Sequence, residues 1–132
     1  MQRKTEQRQA ISDCIKHAQR PLSVQEILES AQLQVPNMGI ATVYRNIKAL
    51  VKNGWIQTVE LPGEAPRYEL ADMEHHHHFH CRKCSRVFDI NACPSNLDNL
   101  APPGFTVIEH EIILYGHCPE CTDFGANQQS PA

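Results

Sequence analysis

Two C-x2-C pairs constrain this chain more than any other feature of its sequence. Cys81 and Cys84 form the first pair, and Cys118 and Cys121 form the second, with residues 85–117 between them. Two such pairs supply four thiolates with the spacing that a tetrahedral structural zinc site needs. Because the separation exceeds that of an ordinary zinc ribbon, the ion would join two distant segments across a whole subdomain. A pair of redox-active dithiols is the alternative interpretation.

The length and the charge pattern divide the chain into two lobes. A chain of 132 residues is one ordinary domain or two very small ones, and a lobe of ~60 residues needs a metal or a partner chain for stability. Residues 1–68 contain nine Lys/Arg and six Asp/Glu, whereas residues 69–132 contain three and nine. This asymmetry predicts an anionic partner for the first lobe and a cation for the second, although a mildly uneven surface is the plainer explanation.

The remaining composition indicates a cytoplasmic protein that does not contact membranes. No apolar run approaches the ~18 residues of a membrane span, and the polar start MQRKTEQRQA does not resemble a signal peptide. In a reducing compartment, six cysteines are expected to serve as metal ligands or core residues rather than as disulfides.

The N-terminal half has the pattern of a winged helix-turn-helix. The first predicted helix carries an apolar stripe made of Ala10, Ile11, Cys14, Ile15 and Ala18. Cys14 lies on this stripe and is therefore interpreted as a core residue. Ser23 and Glu26 form a capping box at the start of a second helix. A third helix is predicted over residues 40–53, and Gly54 stands at a helix-stop position. The runs WIQTVEL and RYEL then predict a hairpin.

The third helix is the candidate DNA reader. Its inward face is predicted to carry Ile40, Val43, Ile47, Leu50 and Val51. Its outward face is predicted to carry Thr42, Arg45, Asn46, Lys48, Lys52 and Asn53. Arg and Asn side chains can contact base edges in the major groove, and Lys48 and Lys52 can neutralise phosphates. The alternative is a solvated polar face, which every surface helix has.

A run of histidines, HHHHFH at residues 75–80, directly precedes the first cysteine pair. If this run is a strand, its side chains alternate between two faces. One face carries His76, His78 and His80. The other face carries His75, His77 and Phe79. A single strand can thus serve two metal sites, and imidazole favours zinc, copper, iron or nickel. Further candidate ligands within reach are Glu69, Asp89, Glu109, His110 and Glu111.

The rest of the C-terminal half shows shorter patterns. RVFDI and FTVIEHEIILYG predict strands, and PSNLDNL predicts a short helix. Cys93 precedes that helix and belongs to neither C-x2-C pair, so we interpret it as a packing or incidental residue rather than a ligand. Residues 123–132, DFGANQQSPA, are predicted to be disordered.

Together, these motifs resemble the ferric uptake regulator family of metal-dependent transcriptional repressors. The resemblance runs from about residue 5 to residue 122 and rests on ATVYRNIKAL, HHHHFHCRKC and YGHCPEC. It implies an α+β fold, with an N-terminal winged helix-turn-helix at residues 1–70 and a hinge at residues 71–74. A C-terminal α/β dimerisation and metal-sensing domain would then span residues 75–122. It also implies a homodimer that binds double-stranded DNA at an AT-rich inverted repeat and is not an enzyme.

The resemblance also assigns residues to sites. The four paired cysteines match the structural Zn²⁺ site of the family. Its regulatory hinge site corresponds to Glu69, His76 and His78. Asp89 matches an acidic residue that joins the hinge site in some members and a second site in others. That second site, in the dimerisation domain, corresponds to His75, His77 and His110. The DNA-contacting pair corresponds to Tyr44 and Arg45.

Three departures from the family pattern bear on the regulatory metal. The stretch AQRPLS before the second helix lacks the His with which many members complete the hinge site. His80 stands where the family usually has an apolar residue, and Asn96 aligns near an acidic residue of the second site. The three hinge ligands, with a fourth donor from His80 or Asp89, would make a four-coordinate site, which favours Zn²⁺ over Fe²⁺ or Mn²⁺.

The alternatives differ in the metal or in the class of protein. Asp89 and water could instead complete a higher-coordinate iron site, as in an iron or peroxide sensor. A metal-storage protein, for which the histidine run would suffice, and a zinc enzyme that activates water are the more distant alternatives.

Overall fold

The computed structural model of the protein describes residues 2–122, with side chains from Lys4 onward. The chain divides into two compact units, Met1–Glu74 and His75–Ala132. The tail that is predicted to be disordered, residues 123–132, lies outside the described residues. Among the helices of the described part, none combines the length and hydrophobicity that crossing a bilayer demands.

The N-terminal unit contains three helices, α1 (Gln2–Ala18), α2 (Val24–Ala31) and α3 (Ile40–Lys52). The predicted capping box is confirmed at the start of α2. Ser23 Oγ accepts a hydrogen bond from the Glu26 N–H at 3.1 Å, and the Glu26 carboxylate accepts one from the Ser23 N–H at 2.9 Å. Two N–H groups at the helix start are thus satisfied, which stabilises the helix by about 1 kcal/mol.

A small antiparallel sheet completes this unit as its wing. Strands β1 (Leu22–Ser23), β2 (Ile56–Val59) and β3 (Arg67–Leu70) lie in the order β1-β3-β2. Gly54 has a φ of 78°, in the left-handed region that favours glycine, and it turns the chain from α3 towards β2. The helices and the sheet share one buried core, in which Cys14 lies as predicted. The fold of this unit is therefore the predicted winged helix.

Two predictions about the faces of α3 are wrong. The sequence places Asn46 on the outward face, but its side chain is buried. Its Oδ1 accepts a hydrogen bond from Arg8 Nε at 3.2 Å, and its Nδ2 donates to the Thr42 carbonyl at 2.9 Å. The Asn46 amide thus joins α3 to α1 instead of facing DNA. Ile40 and Val51, predicted to face inward, are 42% and 37% exposed because they lie in the end turns of the helix, beyond the buried stripe.

The C-terminal unit contains a second three-stranded sheet, built around the histidine strand. The central strand β4 (His77–Cys81) is antiparallel to β5 (Val87–Ile90) on one side. On its other side it is parallel to β6 (Ile113–Gly116). A single 3-10 turn, Leu97–Leu100, lies where a short helix is predicted.

The strand predicted from FTVIEHEIILYG is only partly formed. Its last four residues pair with β4 as β6, whereas residues 105–112 form no strand. Strand backbone needs hydrogen-bond partners, and the backbone contact of this segment with β4 is at its end, where the His78 N–H donates to the Ile112 carbonyl at 3.2 Å. Phe105 and Ile108 in the unpaired segment are 69% and 91% exposed. Within one chain, residues 105–112 therefore do not form the strand that their alternating pattern predicts.

The C-terminal unit buries few apolar side chains. Among its described residues, the buried apolar ones are Cys81, Val87 and Cys118, and two of these three are cysteines. The buried polar ones are His77 and His80. A core of this size is too small to hold such a unit by hydrophobic burial alone. Its stability therefore needs another source, such as a bound metal ion.

Candidate metal centres and nucleic-acid surface

The four paired cysteines converge at one end of the second sheet. The parallel register sets Cys81 opposite Gly116, which brings the second pair beside the first. All four Sγ atoms lie within 4.8 Å of one another, and those of Cys84 and Cys118 are 3.8 Å apart. A tetrahedral zinc ion with Zn–S bonds of ~2.3 Å holds its sulfurs about 3.8 Å apart. The four-cysteine cluster (Cys81, Cys84, Cys118 and Cys121) thus has the dimensions of a zinc site.

Each C-x2-C pair folds as a tight turn around its sulfurs. The N–H groups of Cys84 and Cys118 both donate to Cys81 Sγ at 3.4 Å. In the second pair, the Cys121 N–H donates to the Cys118 carbonyl at 3.0 Å. Ser85, with a φ of 67°, reverses the chain directly after the first pair. These backbone hydrogen bonds and turns therefore bring the sulfurs together.

The surroundings of these sulfurs affect their ionisation unequally. Burial alone would raise the pKa of Cys81, but the N–H groups of Cys84 and Cys118 lower it to about 5. Burial also opposes ionisation of Cys84, whose pKa is nevertheless lowered, chiefly by a hydrogen bond from Arg86 Nε at 3.1 Å. Burial and the neighbouring sulfurs raise the pKa of Cys121 to about 12. Four thiolates this close repel one another unless a cation neutralises them, and a bound metal ion would do so.

A second group, the His–Asp cluster, consists of His76, His78 and Asp89. The two Nε2 atoms lie 3.5 Å and 3.4 Å from Asp89 Oδ1, and the two ring centroids are 4.9 Å apart. Asp89 faces the histidines because it pairs opposite His78 in the β4–β5 ladder. The three side chains are mostly shielded from solvent, with exposed fractions of 8%, 18% and 9%. Two imidazole nitrogens and a carboxylate therefore converge on one face of β4.

Glu69, the hinge ligand that the resemblance implies, belongs to the N-terminal unit. It lies on β3, opposite Gln57 of β2, and its side chain is buried. Gln57 Nε2 donates a hydrogen bond to Glu69 Oε2 at 2.9 Å. A carboxylate this buried is stabilised by hydrogen bonds of this kind and by any cation that binds it.

His80 does not take the place that the sequence predicts for it. It pairs opposite Val87 and Tyr115, and its ring centroid lies 5.8 Å from that of Tyr115. In the β4–β5 ladder His80 pairs opposite Val87, whereas Asp89 pairs opposite His78, so no carboxylate faces His80 across that ladder. In the described residues His80 belongs to no group of converging ligand atoms. The hypothesis of an extra ligand is corrected accordingly, and His80 is a buried residue of the sheet.

A third group, the His–Cys cluster, lies on the opposite face of β4. Its members are His75, His77, Cys93 and His110, and their ligand atoms lie within 4.8 Å of one another. Cys93 Sγ is 3.3 Å from His77 Nε2 and 3.1 Å from His110 Nε2. The Nε2 atoms of His75 and His110 are 3.0 Å apart. Burial, followed by repulsion from His75 and His110, lowers the pKa of His77 and so favours its neutral imidazole.

Cys93 is the residue of these clusters that the sequence interpretation missed. A packing role is wrong, because Cys93 is exposed. Its spacing gave no signal, since it belongs to no C-x2-C pair and its position depends on the loop after β5. Two other candidate ligands, Glu109 and Glu111, are exposed and join none of the clusters found in the described residues. All six cysteines lie in the described part of the chain, and none forms a disulfide.

The candidate nucleic-acid surface is the exposed face of α3. Tyr44, Arg45 and Lys48 are exposed, and Thr42 is half-buried. Arg45 Nη2 donates to Thr42 Oγ1 at 3.2 Å, which holds the guanidinium against its own helix. Between α1 and α3 lies a cavity of about 260 Å³, lined by Lys4, Gln7, Arg8, Arg45 and Asn46. Three of these five side chains are cationic, so the surface suits a phosphate group.

Proteins of known function resemble most of this chain in sequence or in fold. The peroxide operon regulator of Bacillus subtilis (strain 168) is 27% identical over 121 residues, which cover 89% of this chain and 83% of that protein. The Helicobacter pylori ferric uptake regulator, whose structure revealed three functional metal binding sites, has a TM-score of 0.66 at 25% identity and covers 96% of this chain and 82% of its own. A zinc-bound manganese uptake regulator has a TM-score of 0.73 at 25% identity, covering 85% and 87%.

The sequence also matches a family model over most of its length. The model described as the ferric uptake regulator family matches residues 2–115. That range includes the N-terminal unit from residue 2 onward, the histidines and aspartate of both histidine-containing clusters, and the first C-x2-C pair. The chain therefore belongs to the ferric uptake regulator family.

Proposed function

We propose that this protein is a zinc-sensing transcriptional repressor of metal-homeostasis genes. The observation that carries the proposal is the presence, in one chain, of a winged helix with an exposed basic face and a separate unit in which metal-binding side chains converge. Membership of the ferric uptake regulator family supports a metal-responsive regulator that binds DNA as a dimer. Because it would act on chromosomal DNA, we place it in the cytoplasm.

In this proposal a metal ion acts across the hinge. Residues 1–70 bind DNA, residues 71–74 form the hinge, and residues 75–122 sense metal and dimerise. Glu69 lies just before the hinge and the His–Asp cluster begins just after it, so one ion held by both would restrict the orientation of the DNA-binding domain. Two winged helices so restricted would meet successive major grooves together. The ion stabilises the restricted orientation only to the extent that it binds this orientation more tightly than the other orientations of the DNA-binding domain.

The DNA contacts of the proposal come from α3 and the adjoining end of α1. The Arg8–Asn46 hydrogen bond fastens the two helices together, so the exposed Tyr44, Arg45 and Lys48 project from a rigid element. Lys4 and Arg8 add positive charge beside them for phosphate contacts. A symmetric dimer reads two half-sites of an inverted repeat, and we expect an AT-rich operator of that form.

A second copy of the chain would cover the apolar surface of the C-terminal unit. Its exposed large apolar residues include Leu100, Phe105, Ile108, Leu114 and Tyr115. Exposed apolar surface of this kind marks interaction sites. Phe105 and Ile108 lie in the segment whose alternating pattern finds no strand partner in one chain. We propose that this segment pairs with its counterpart in a homodimer.

The ligands available at the hinge favour zinc. Two imidazoles from the His–Asp cluster, with the carboxylates of Asp89 and Glu69, provide two nitrogen and two oxygen donors, which suffices for four-coordinate zinc. His17 is the only histidine in residues 1–68, and its Nδ1 contacts the Asp13 carbonyl of its own helix at 2.9 Å. No further imidazole is therefore at hand for the higher coordination that iron or manganese prefers. The iron- or peroxide-sensing alternative is favoured by the functions of relatives such as the Bacillus subtilis regulator.

Titration with buffered metals tests the proposal. The protein, with its four-cysteine cluster already filled with zinc, is used to select DNA from a random library in the presence of Zn²⁺, Fe²⁺ or Mn²⁺. Binding to the selected DNA is then followed by fluorescence anisotropy at controlled free metal. We expect an inverted repeat and activation by zinc in its buffered sub-nanomolar range. Activation by micromolar Fe²⁺ without any by zinc would make the protein an iron sensor, and no DNA selection with any metal would refute the repressor.

Arg45→Ala should weaken binding to the selected DNA by roughly 1–3 kcal/mol if the side chain reads a guanine edge. If Arg45 contacts phosphate instead, affinity should fall equally on specific and random DNA, and the salt slope should shrink by about one. Both outcomes follow from the exposure of Arg45 on α3. Anisotropy titrations at several salt concentrations measure the two quantities.

The control for Arg45 is Lys16→Ala, which removes one exposed positive charge from α1 of the same unit. Lys16 is not among the residues that line the basic cavity. We expect Lys16→Ala to leave affinity for the selected DNA unchanged, and both variants to keep the metal content of the parent. Equal losses in the two variants would remove Arg45 from the DNA interface.

A further inference from the structure

The His–Cys cluster contains a donor that neither the cysteine spacing nor the family resemblance assigns. We propose that Cys93 binds a metal ion through its thiolate, together with His75, His77 and His110, and that this site takes zinc-like ions rather than iron(II) or manganese(II). The inference rests on the proposed metal binding of the C-terminal unit and is independent of DNA binding.

The distances between ligand atoms fit a small tetrahedral ion. Zn–N bonds of ~2.0–2.1 Å and a Zn–S bond of ~2.3 Å place neighbouring nitrogens about 3.4 Å apart and sulfur about 3.6 Å from nitrogen. In this cluster the two sulfur–nitrogen distances from Cys93 are 3.3 Å and 3.1 Å. The nitrogens of His75 and His110 are 3.0 Å apart. A displacement of a few tenths of an ångström would therefore admit the ion.

Three separate segments of the C-terminal unit bring these atoms together. His75 and His77 come from the start of β4, Cys93 from the loop after β5, and His110 from the segment before β6. His77 is buried, whereas His75 and Cys93 are exposed. The cluster thus has a fixed inner ligand and an outer side that is open to ions from solution.

The thiolate determines which ions suit the site. Three imidazoles are neutral ligands, so Cys93 is the only member of the cluster that contributes a negative charge. The residue that aligns near the acidic ligand of the family's second site is Asn96, which is exposed and lies outside the group of converging atoms. A thiolate in place of a carboxylate favours zinc, cobalt and copper(I), whereas carboxylate favours manganese and magnesium.

The two histidine clusters on β4 therefore differ in their anionic ligand. The His–Asp cluster has a carboxylate and the His–Cys cluster has a thiolate, on opposite faces of the same strand. The order of affinities among competing metal ions should consequently differ between the two clusters. A cobalt ion bound at the His–Cys cluster should be recognisable from its sulfur ligand.

Cobalt spectroscopy of the full chain tests the thiolate. The zinc-filled protein, confirmed by mass spectrometry to hold one zinc ion per chain, is titrated with Co²⁺ without oxygen. We expect a near-ultraviolet thiolate-to-cobalt charge-transfer band together with the intense visible bands of tetrahedral cobalt. Cys93→Ser should abolish the charge-transfer band. It should also weaken zinc binding at this site, as measured by competition with a chelator. Mutation of residues that only contact a metal's ligands lowers metal affinity by roughly 10–100-fold, and loss of a ligand itself should lower it by more.

Cys14→Ser is the matched control for this substitution. Cys14 lies in the core of the N-terminal unit, where its Sγ contacts the Ile11 carbonyl at 3.2 Å, a contact that a serine hydroxyl can keep. The spectrum of Cys14→Ser should match that of the parent protein. His110→Ala should lose both the charge-transfer band and the tight cobalt site while retaining the structural zinc.

Two results would overturn the proposal. Cobalt binding without a charge-transfer band in the parent protein would mean that Cys93 is only a hydrogen-bonded thiol among imidazoles. A band that survives in Cys93→Ser, with one zinc ion still in place, would assign the sulfur ligand to another cysteine. Metal-dependent DNA binding measured on the same samples separates this failure from failure of the repressor function, because a protein that lacks the thiolate ligand can still repress through the hinge.

Discussion

Cys118→Ser is expected to remove the structural zinc and to unfold the C-terminal unit. Zinc binding to a site that is absent from the unfolded chain contributes on the order of 10 kcal/mol or more to folding. Serine is a poor zinc ligand, and Val87 and Cys81 would be the only other buried apolar residues left in the described part of this unit. Without the ion, the four-cysteine cluster can no longer join β4 to the segment after β6.

The consequences should be confined to one of the two units. The N-terminal unit has its own core of helices and wing, so far-ultraviolet circular dichroism should retain most of its helical signal. Mass spectrometry should show the loss of one zinc ion per chain, and sedimentation velocity should show monomers. Cys93→Ser, which changes an exposed cysteine of the same unit, is the control and should keep both the structural zinc and the dimer. A Cys118→Ser dimer that sediments normally without its zinc would contradict the structural role.

Local sequence signals predict the N-terminal unit well. The capping box of Ser23 and Glu26 depends on residues three positions apart, so it is visible in the sequence and present in the structure. Asn46 shows the limit of this reasoning, because its burial depends on Arg8, which is 38 positions away. Residues 105–112 show another limit, since an alternating pattern predicts a strand but cannot say whether its partner lies in the same chain.

The candidate metal-binding residues were predictable to different degrees. Alternation along a strand separates His76 and His78 from His75 and His77, and the structure shows this separation around β4. The register of the ladder, which the sequence does not reveal, decides that Asp89 and not His80 accompanies the first two. The position of Cys93 depends on a loop with no regular structure, for which no periodic signal exists.

His78→Ala should abolish metal-dependent DNA binding while leaving the structural zinc and the dimer intact. His78 pairs opposite Asp89 and contributes one of the two imidazoles of the His–Asp cluster, so its loss leaves too few donors to hold an ion at the hinge. Allosteric couplings are typically ~1–3 kcal/mol per site, and a dimer with two hinge sites would lose both. Anisotropy titrations with and without metal should therefore converge on the weak affinity of the metal-free protein.

His75→Ala is the control for His78→Ala, because it makes the same substitution at the same strand but in the His–Cys cluster on the opposite face. It should lower metal occupancy of that cluster and affect DNA binding less, since no ligand of the His–Cys cluster lies in the N-terminal unit. By linkage, DNA should also tighten metal binding in His75→Ala but not in His78→Ala. If His75→Ala or His110→Ala abolishes metal-dependent DNA binding and His78→Ala does not, the regulatory site is the His–Cys cluster and the two assignments are reversed.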